Sequence, residues 1–140
     1  MAPMKLKNEV VGGKIQNLCF VNTSVQMLAS LPEFRQYFVE RKYRDTDNNN
    51  RDFTVSDQLC DIFTSNGQIA VSCNNLRSSV ATKSQKQYLA SGNQQDLLEF
   101  SIALLDVLEQ EFDDANCVSG LALVRRFVGN EVTHKAFQSP

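Results

Sequence analysis

Of the four cysteines in the sequence, Cys19, Cys60, Cys73 and Cys117, the first stands where its neighbours could give a thiol chemical work. A polar, helix-poor run from Gly12 to Asn17 precedes it. Beyond it Val21, Val25 and Leu28 recur at i, i+4 and i+7, and Phe20, Met27 and Leu31 widen the apolar face. A helix is therefore predicted to begin close to Cys19 and to run to Ser30 or Leu31. The first turn of a helix has unpaired N–H groups and a partial positive charge, which stabilise a thiolate over a thiol and can hold an oxyanion. That is the chemistry of a cysteine hydrolase. The alternative for Cys19 is a small buried hydrophobe, a common fate of free cysteine. A hydrolase would also need an imidazole to take and return a proton, a third group to hold that ring, and donors aimed at the oxyanion. The one histidine is His134, which reads more readily as an exposed strand or loop residue than as a base.

The elements that would position such a site follow from apolar spacing. Pro32 breaks the Cys19 helix and suits the first turn of a second, residues 32 to 41, with Phe34, Tyr37 and Phe38 inward and Glu33, Arg35 and Glu40 in water. Residues 46 to 52 are turn-formers and predict a loop. Thr54 to Thr64 forms a third helix with Thr54 as its N-cap, a stripe of Val55, Leu59, Ile62 and Phe63, and Cys60 beside that stripe as core. A shorter helix spans Asn75 to Ser84 around Leu76 and Val80. The longest runs from residue 94 to 112 with Asn93 as its cap and Leu97, Leu98, Ile102, Leu105, Leu108 and Phe112 as its apolar stripe. After Gly120 the pattern of Leu121, Leu123, Phe127, Val128 and Val132 predicts one or two strands. The first ten residues carry no periodicity and are expected to be a flexible or extended lead-in.

Composition narrows the possibilities. At 140 residues and 42% hydrophobic, the chain is one domain at most, with enough apolar content for a modest core. A net charge of −2, with lysines and arginines scattered among acids, leaves no electrostatic footprint for nucleic acid. No apolar run approaches the roughly eighteen residues of a membrane span, and the N-terminal MAPMKLKNEV lacks the apolar core of a signal peptide. The expected setting is intracellular, cytoplasm or nucleus, without a membrane partner. Four widely spaced cysteines with one histidine point to reduced thiols rather than a disulfide framework or zinc site, and no metal or cofactor is expected.

Two segments together carry more. In GKIQNLCFVNTSVQMLASLPEFRQYF, Asn17, Cys19, Phe20, Asn22, Gln26 and Leu28 fall in register with a cysteine box, and Leu31, Pro32, Glu33, Arg35, Tyr37 and Phe38 continue it. In SGNQQDLLEFSIALLDVLEQEF, Gln94, Gln95, Asp96, Glu99, Phe100, Leu104, Leu105, Asp106, Leu108 and Glu111 match the pattern QQDAxEFxxxLLDxLxxE. In this order and spacing the two motifs resemble the ubiquitin-specific proteases, the papain-like deubiquitinases. FVGNEVT, Phe127 to Thr133, is similar to the strand entry into that family's fingers region. The likeness extends from about Val11 to Phe137.

The resemblance implies a fold that is mainly α, the helical thumb-like half of a papain-like α+β cysteine peptidase, with a short β-forming C-terminal tail. Residues 1–10 would be the lead-in, 11–120 the thumb-like part and 121–140 the start of a fingers-like region. It implies a ubiquitin carboxyl-terminal hydrolase with Cys19 as nucleophile, and ubiquitin or a ubiquitinated protein as partner. The tail of ubiquitin would be met by Asp96, Gln95 and Asn17. Asp96 could equally serve as charge at a helix N-terminus. Glu99 and Phe100 would hold their helix against the Cys19 helix. The family's oxyanion-donating Asn is replaced by Lys14, its loop Gly by Gln16, and the Thr before the nucleophile by Leu18. The family's downstream histidine box has no counterpart within these residues. Three outcomes stay open: an incomplete deubiquitinase domain that is weak or inactive alone, a catalytically dead module binding ubiquitin or another protein chain through an exposed interface, and an incomplete gene product with no independent role.

Overall fold

The computed structural model describes residues 6–7, 10–11, 14–15, 18–45, 52–65, 71–91 and 95–128. The described residues are mainly helical: α1 (Cys19–Ala29), α2 (Pro32–Val39), α3 (Thr54–Ser65), α4 (Asn74–Ser84), α5 (Leu97–Asp114) and α6 (Val118–Val128). Single 3-10 turns at Lys42–Asp45 and Gln87–Ala90 follow α2 and α4. Short strands accompany them. β1 (Leu6–Lys7) pairs in parallel with β4 (Val71–Ser72), and β2 (Val10–Val11) pairs antiparallel with β3 (Lys14–Ile15). The lead-in, expected to be flexible or extended, is extended where described and is tied at Leu6 to the strand that precedes α4.

α1 packs on α5, as two long apolar stripes in a small domain must. Phe20 meets Phe100 edge-on with ring centroids 5.4 Å apart, and Leu28, Leu105 and Leu108 are buried. The buried face of α5 is wider than the expected stripe and rotated from it, taking in Phe100, Ala103, Leu104 and Val107. Ile102 is 42% exposed, because at about 100° per residue it lies across the helix from the core-facing Phe100, Leu104 and Leu108. α5 also begins at Leu97 rather than at residue 94. Its N-cap is Asp96, and the expected Asn93 cap lies outside the described residues.

Beneath this pair, Phe34, Phe38, Tyr43, Phe53, Phe63 and Phe112 form an aromatic centre where α2, α3 and α5 meet. Arg35, expected in water, is buried and donates from Nη2 to the Phe63 carbonyl at 3.0 Å. A guanidinium at the last turn of α3 satisfies a carbonyl that has no intrahelical partner. Burial of its aliphatic stem follows from that reach.

The N-terminus of α3 is capped in an unexpected way. The helix starts at Thr54 itself, and Asp52 Oδ1 accepts from Thr54 N at 3.0 Å and Thr54 Oγ1 at 2.6 Å. The next donors are taken by a carboxylate from another helix: Glu111 of α5 accepts from Val55 N at 2.9 Å, Ser56 N at 3.1 Å and Ser56 Oγ at 2.9 Å. Lys83 of α4 completes the node, its Nζ 2.6 Å from Glu111 and 2.7 Å from Asp52. Glu111 is 4% exposed, so this is a buried charge whose lone pairs are filled.

Residues 121 to 128, predicted as strand, are helical. Gly120, Leu123, Val124 and Phe127 recur at i, i+3, i+4 and i+7 and turn toward the core, while Arg126 pairs with Glu33 and Arg125 with Glu109. Gly120 is there for closeness: a Cβ on it would lie 2.6 Å from the Phe112 ring. Asn116, with φ of 54°, closes α5, and Cys117 N reaches back to Phe112 O at 2.8 Å. The tail up to Phe127 is thus packed on the core rather than an exposed apolar surface. Residues 129–140, including Val132 and His134, lie outside the described residues, as does the predicted loop except for Asp52.

Candidate active site

Cys19 is the first residue of α1 and is exposed. Leu18, its N-cap, is completely buried and anchors the entry into the helix, and its carbonyl accepts the first helical bond from Asn22 N at 2.8 Å. A leucine cap brings no side-chain acceptor, and the first turn holds no acid. Among the described residues no side chain takes the first-turn donors, and the positive end of the helix lies at the thiol. One turn on, Asn22 carries a buried side-chain oxygen with no hydrogen-bond partner among the described residues.

The other thiols are built into the core. Burial pushes the Cys73 thiol up to about 12. It also raises Cys60, against the opposing influence of Arg41. Cys117 lies 3.3 Å from Tyr37 Oη. A thiol raised by burial is protonated and unreactive at neutral pH. Cys19 alone among the four is exposed, which decides against the reading of it as core.

The predicted tail-binding residues cluster only in part. Asp96 caps α5, its Oδ1 accepting from Glu99 N at 3.0 Å, so the helix-terminus role is visible and the side chain stays exposed. Gln95 lies just ahead of it, with Nε2 3.4 Å from Ser91 Oγ. Phe100 holds α5 to α1, but Glu99 faces the other way and accepts from Tyr88 Oη. Lys14 is placed by its backbone in β3, opposite Val11 and just ahead of the Cys19 helix. Asn17, Gln16, Gln94 and His134 fall outside the described residues; the structure brings Cys19 and the head of α5 onto one helix pair, with no imidazole among the described residues.

One element of this pair was missed. Ser24 and Ser101, both fully buried, meet at 2.8 Å across the α1–α5 contact, and Ser101 Oγ also donates to Leu97 O at 2.8 Å. The available signal was a small hydroxyl on the apolar face of each helix.

A family model described as ubiquitin carboxyl-terminal hydrolase matches residues 13–138. The chain belongs to the ubiquitin carboxyl-terminal hydrolase family. No curated protein and no solved structure gives a significant match. The matched span takes in Cys19, Asp96 and every described helix, so the two helix heads belong to one ubiquitin hydrolase-type domain. Members of this family act on ubiquitin or ubiquitinated proteins. A separate cleft of about 240 Å³, lined by Asp52, Lys83, Val107, Gln110, Glu111 and Asp114, opens over the α3 cap. Its central carboxylate is already fully bonded, which marks it as structural.

Proposed function

We propose that this chain is the thumb-like helical part of a papain-like, thiol-dependent deubiquitinase domain, with Cys19 as nucleophile and the C-terminal tail of ubiquitin held at the heads of α1 and α5. The observation that supports this best is an exposed cysteine on the first residue of a helix without a side-chain cap, packed on the helix capped by Asp96. The thiolate attacks the carbonyl carbon at the end of ubiquitin, and the helix N–H groups face the oxyanion that forms. Lys14 stands at the position of the family's amide donor and would add charge there, while Asp96, Gln95 and Asn17 would hold the tail. Collapse to a thioester requires a proton for the departing lysine amine, and within these residues His134 is the one imidazole. The segment alone is therefore a capturing rather than a cleaving unit. A free thiol nucleophile fits a reducing compartment, cytoplasm or nucleus.

A second reading, a module that binds ubiquitin or a protein partner without cleaving it, is favoured by Leu18, a fully buried residue where the family carries threonine. A ubiquitin probe with an electrophilic C-terminus, run beside a fluorogenic ubiquitin amide, separates the two. Slow labelling confined to Cys19, lost in Cys19→Ala, with no fluorophore release, is expected. Binding without labelling favours the second reading. Multiple turnover abolished by Cys19→Ala would overturn the capture-only account and direct attention to His134.

A further inference from the structure

We infer that the Ser24–Ser101 bridge is the positioning device of the site, fixing how the head of α1 sits against the head of α5 and so where the Cys19 thiol stands relative to Asp96. The inference rests on the reading of Cys19 and Asp96 as two halves of one ubiquitin site. Apolar contacts across a helix pair are non-directional and tolerate sliding. A hydroxyl pair does not: a slip of one residue, about 1.5 Å along a helix axis, breaks a 2.8 Å bond and strands the buried Ser24 hydroxyl, Ser101 keeping its bond to Leu97 O. The ring contact described across the same crossing, Phe20 on Phe100, is apolar. The direction of the bridge is set by its neighbour. With the Ser101 proton on Leu97 O, Ser24 donates to Ser101 Oγ.

The place of the bridge makes it a register mark for the site. Ser24 is five residues beyond Cys19, and Ser101 is five beyond Asp96. Each head therefore lies within about 8 Å of the crossing along its own helix axis. A small rotation about a crossing without the bridge moves both heads, and a misplacement of about 1 Å at a reacting centre can cost on the order of a hundredfold in rate. Neither serine touches the reacting atoms. They act through Cys19 and Asp96.

The chemistry supplies a clean variant. Ser24→Ala removes the bridge and leaves Ser101 donating to Leu97 O, so no hydroxyl is stranded. Ser101→Ala strands Ser24, so its melting temperature should fall further. In the full chain, a spin label on Cys19 and a second on Asp106→Cys, an exposed site on α5, report the helix register while the buried thiols stay unlabelled. A single narrow distance is expected with the bridge and a broadened or displaced one in Ser24→Ala and in the Ser24→Ala/Ser101→Ala double variant. Identical distributions would overturn the inference. In parallel, labelling by the ubiquitin electrophile should slow about tenfold in Ser24→Ala, with iodoacetamide alkylation of Cys19 unchanged. Equal slowing of both reagents would mean a general effect on the thiol and would also overturn it. If the parent chain resists the ubiquitin electrophile altogether, the proposed function fails while the spin-label distances still decide the register.

Discussion

Two helix N-termini in this molecule receive opposite treatment. The head of α3 is closed by five hydrogen bonds: two to Asp52 and three to Glu111, a carboxylate carried in from α5 and neutralised by Lys83. The head of α1 has a leucine for a cap, no acid in its first turn and an exposed thiol. Filling the orphan donors of a helix stabilises it, and leaving them open keeps them for a ligand. On the proposed function, the difference separates a terminus that serves the fold from one that serves chemistry. The head of α5 stands between them, capped by its own exposed Asp96.

The sharpest way to break the contrast is Glu111→Ala, which strands Val55 N, Ser56 N and Ser56 Oγ and removes one partner of Lys83; urea denaturation should show a loss of about 3–5 kcal/mol. A loss under about 1 kcal/mol would mean that the buried carboxylate does not support α3. Asp96→Ala should cost about 1 kcal/mol of stability through the lost cap. It should slow the ubiquitin electrophile far more than iodoacetamide, and equal slowing would remove Asp96 from tail binding. Smaller still is the acid response of Asp52, whose carboxyl is held at about 2, first by its hydrogen bond from Lys83 and then by Thr54. A folded value below the unfolded one of about 4 means that this stabilisation is complete above about pH 4 and lost as the pH falls toward 2. Because Asp52 is largely exposed, Asp52→Asn should flatten the melting temperature over that window by no more than the equivalent of about 1 kcal/mol. The smallest effect should be that of Cys19→Ala, within about 0.5 kcal/mol of the parent. A larger loss of stability would show that the thiol belongs to the fold.

Periodicity made most of the helices legible. Pro32 marked the start of α2, and Val55, Leu59, Ile62 and Phe63 drew the buried face of α3. α6 was misread because Gly120 looks like a turn and Leu121, Leu123 and Phe127 fall in alternating register, although Gly120, Leu123, Val124 and Phe127 keep helical spacing. Gly120 is set by the Phe112 ring pressed against it, which local sequence does not reveal. Arg35 and Glu111 were misjudged or only half understood for the same reason. Their partners, Phe63 O and the N-terminus of α3, are distant in the chain, and a charge with a distant partner looks like any solvated charge. At the site, Cys19 at a helix head and Asp96 near the next were readable from type and spacing. The serine bridge between them needed the packed pair.

The reach of Glu111 also bears on how the protein is made. Its partner Val55 is 56 residues earlier in the chain, an interval that a ribosome takes roughly 3–11 s to traverse. Ser101 follows Ser24 by 77 residues, or roughly 4–15 s. A nascent chain thus presents Cys19 long before α5 exists to receive its helix. Translation that halts before Ser101 leaves the Cys19 thiol without α5 beside it and the apolar face of α1 uncovered for chaperones to find.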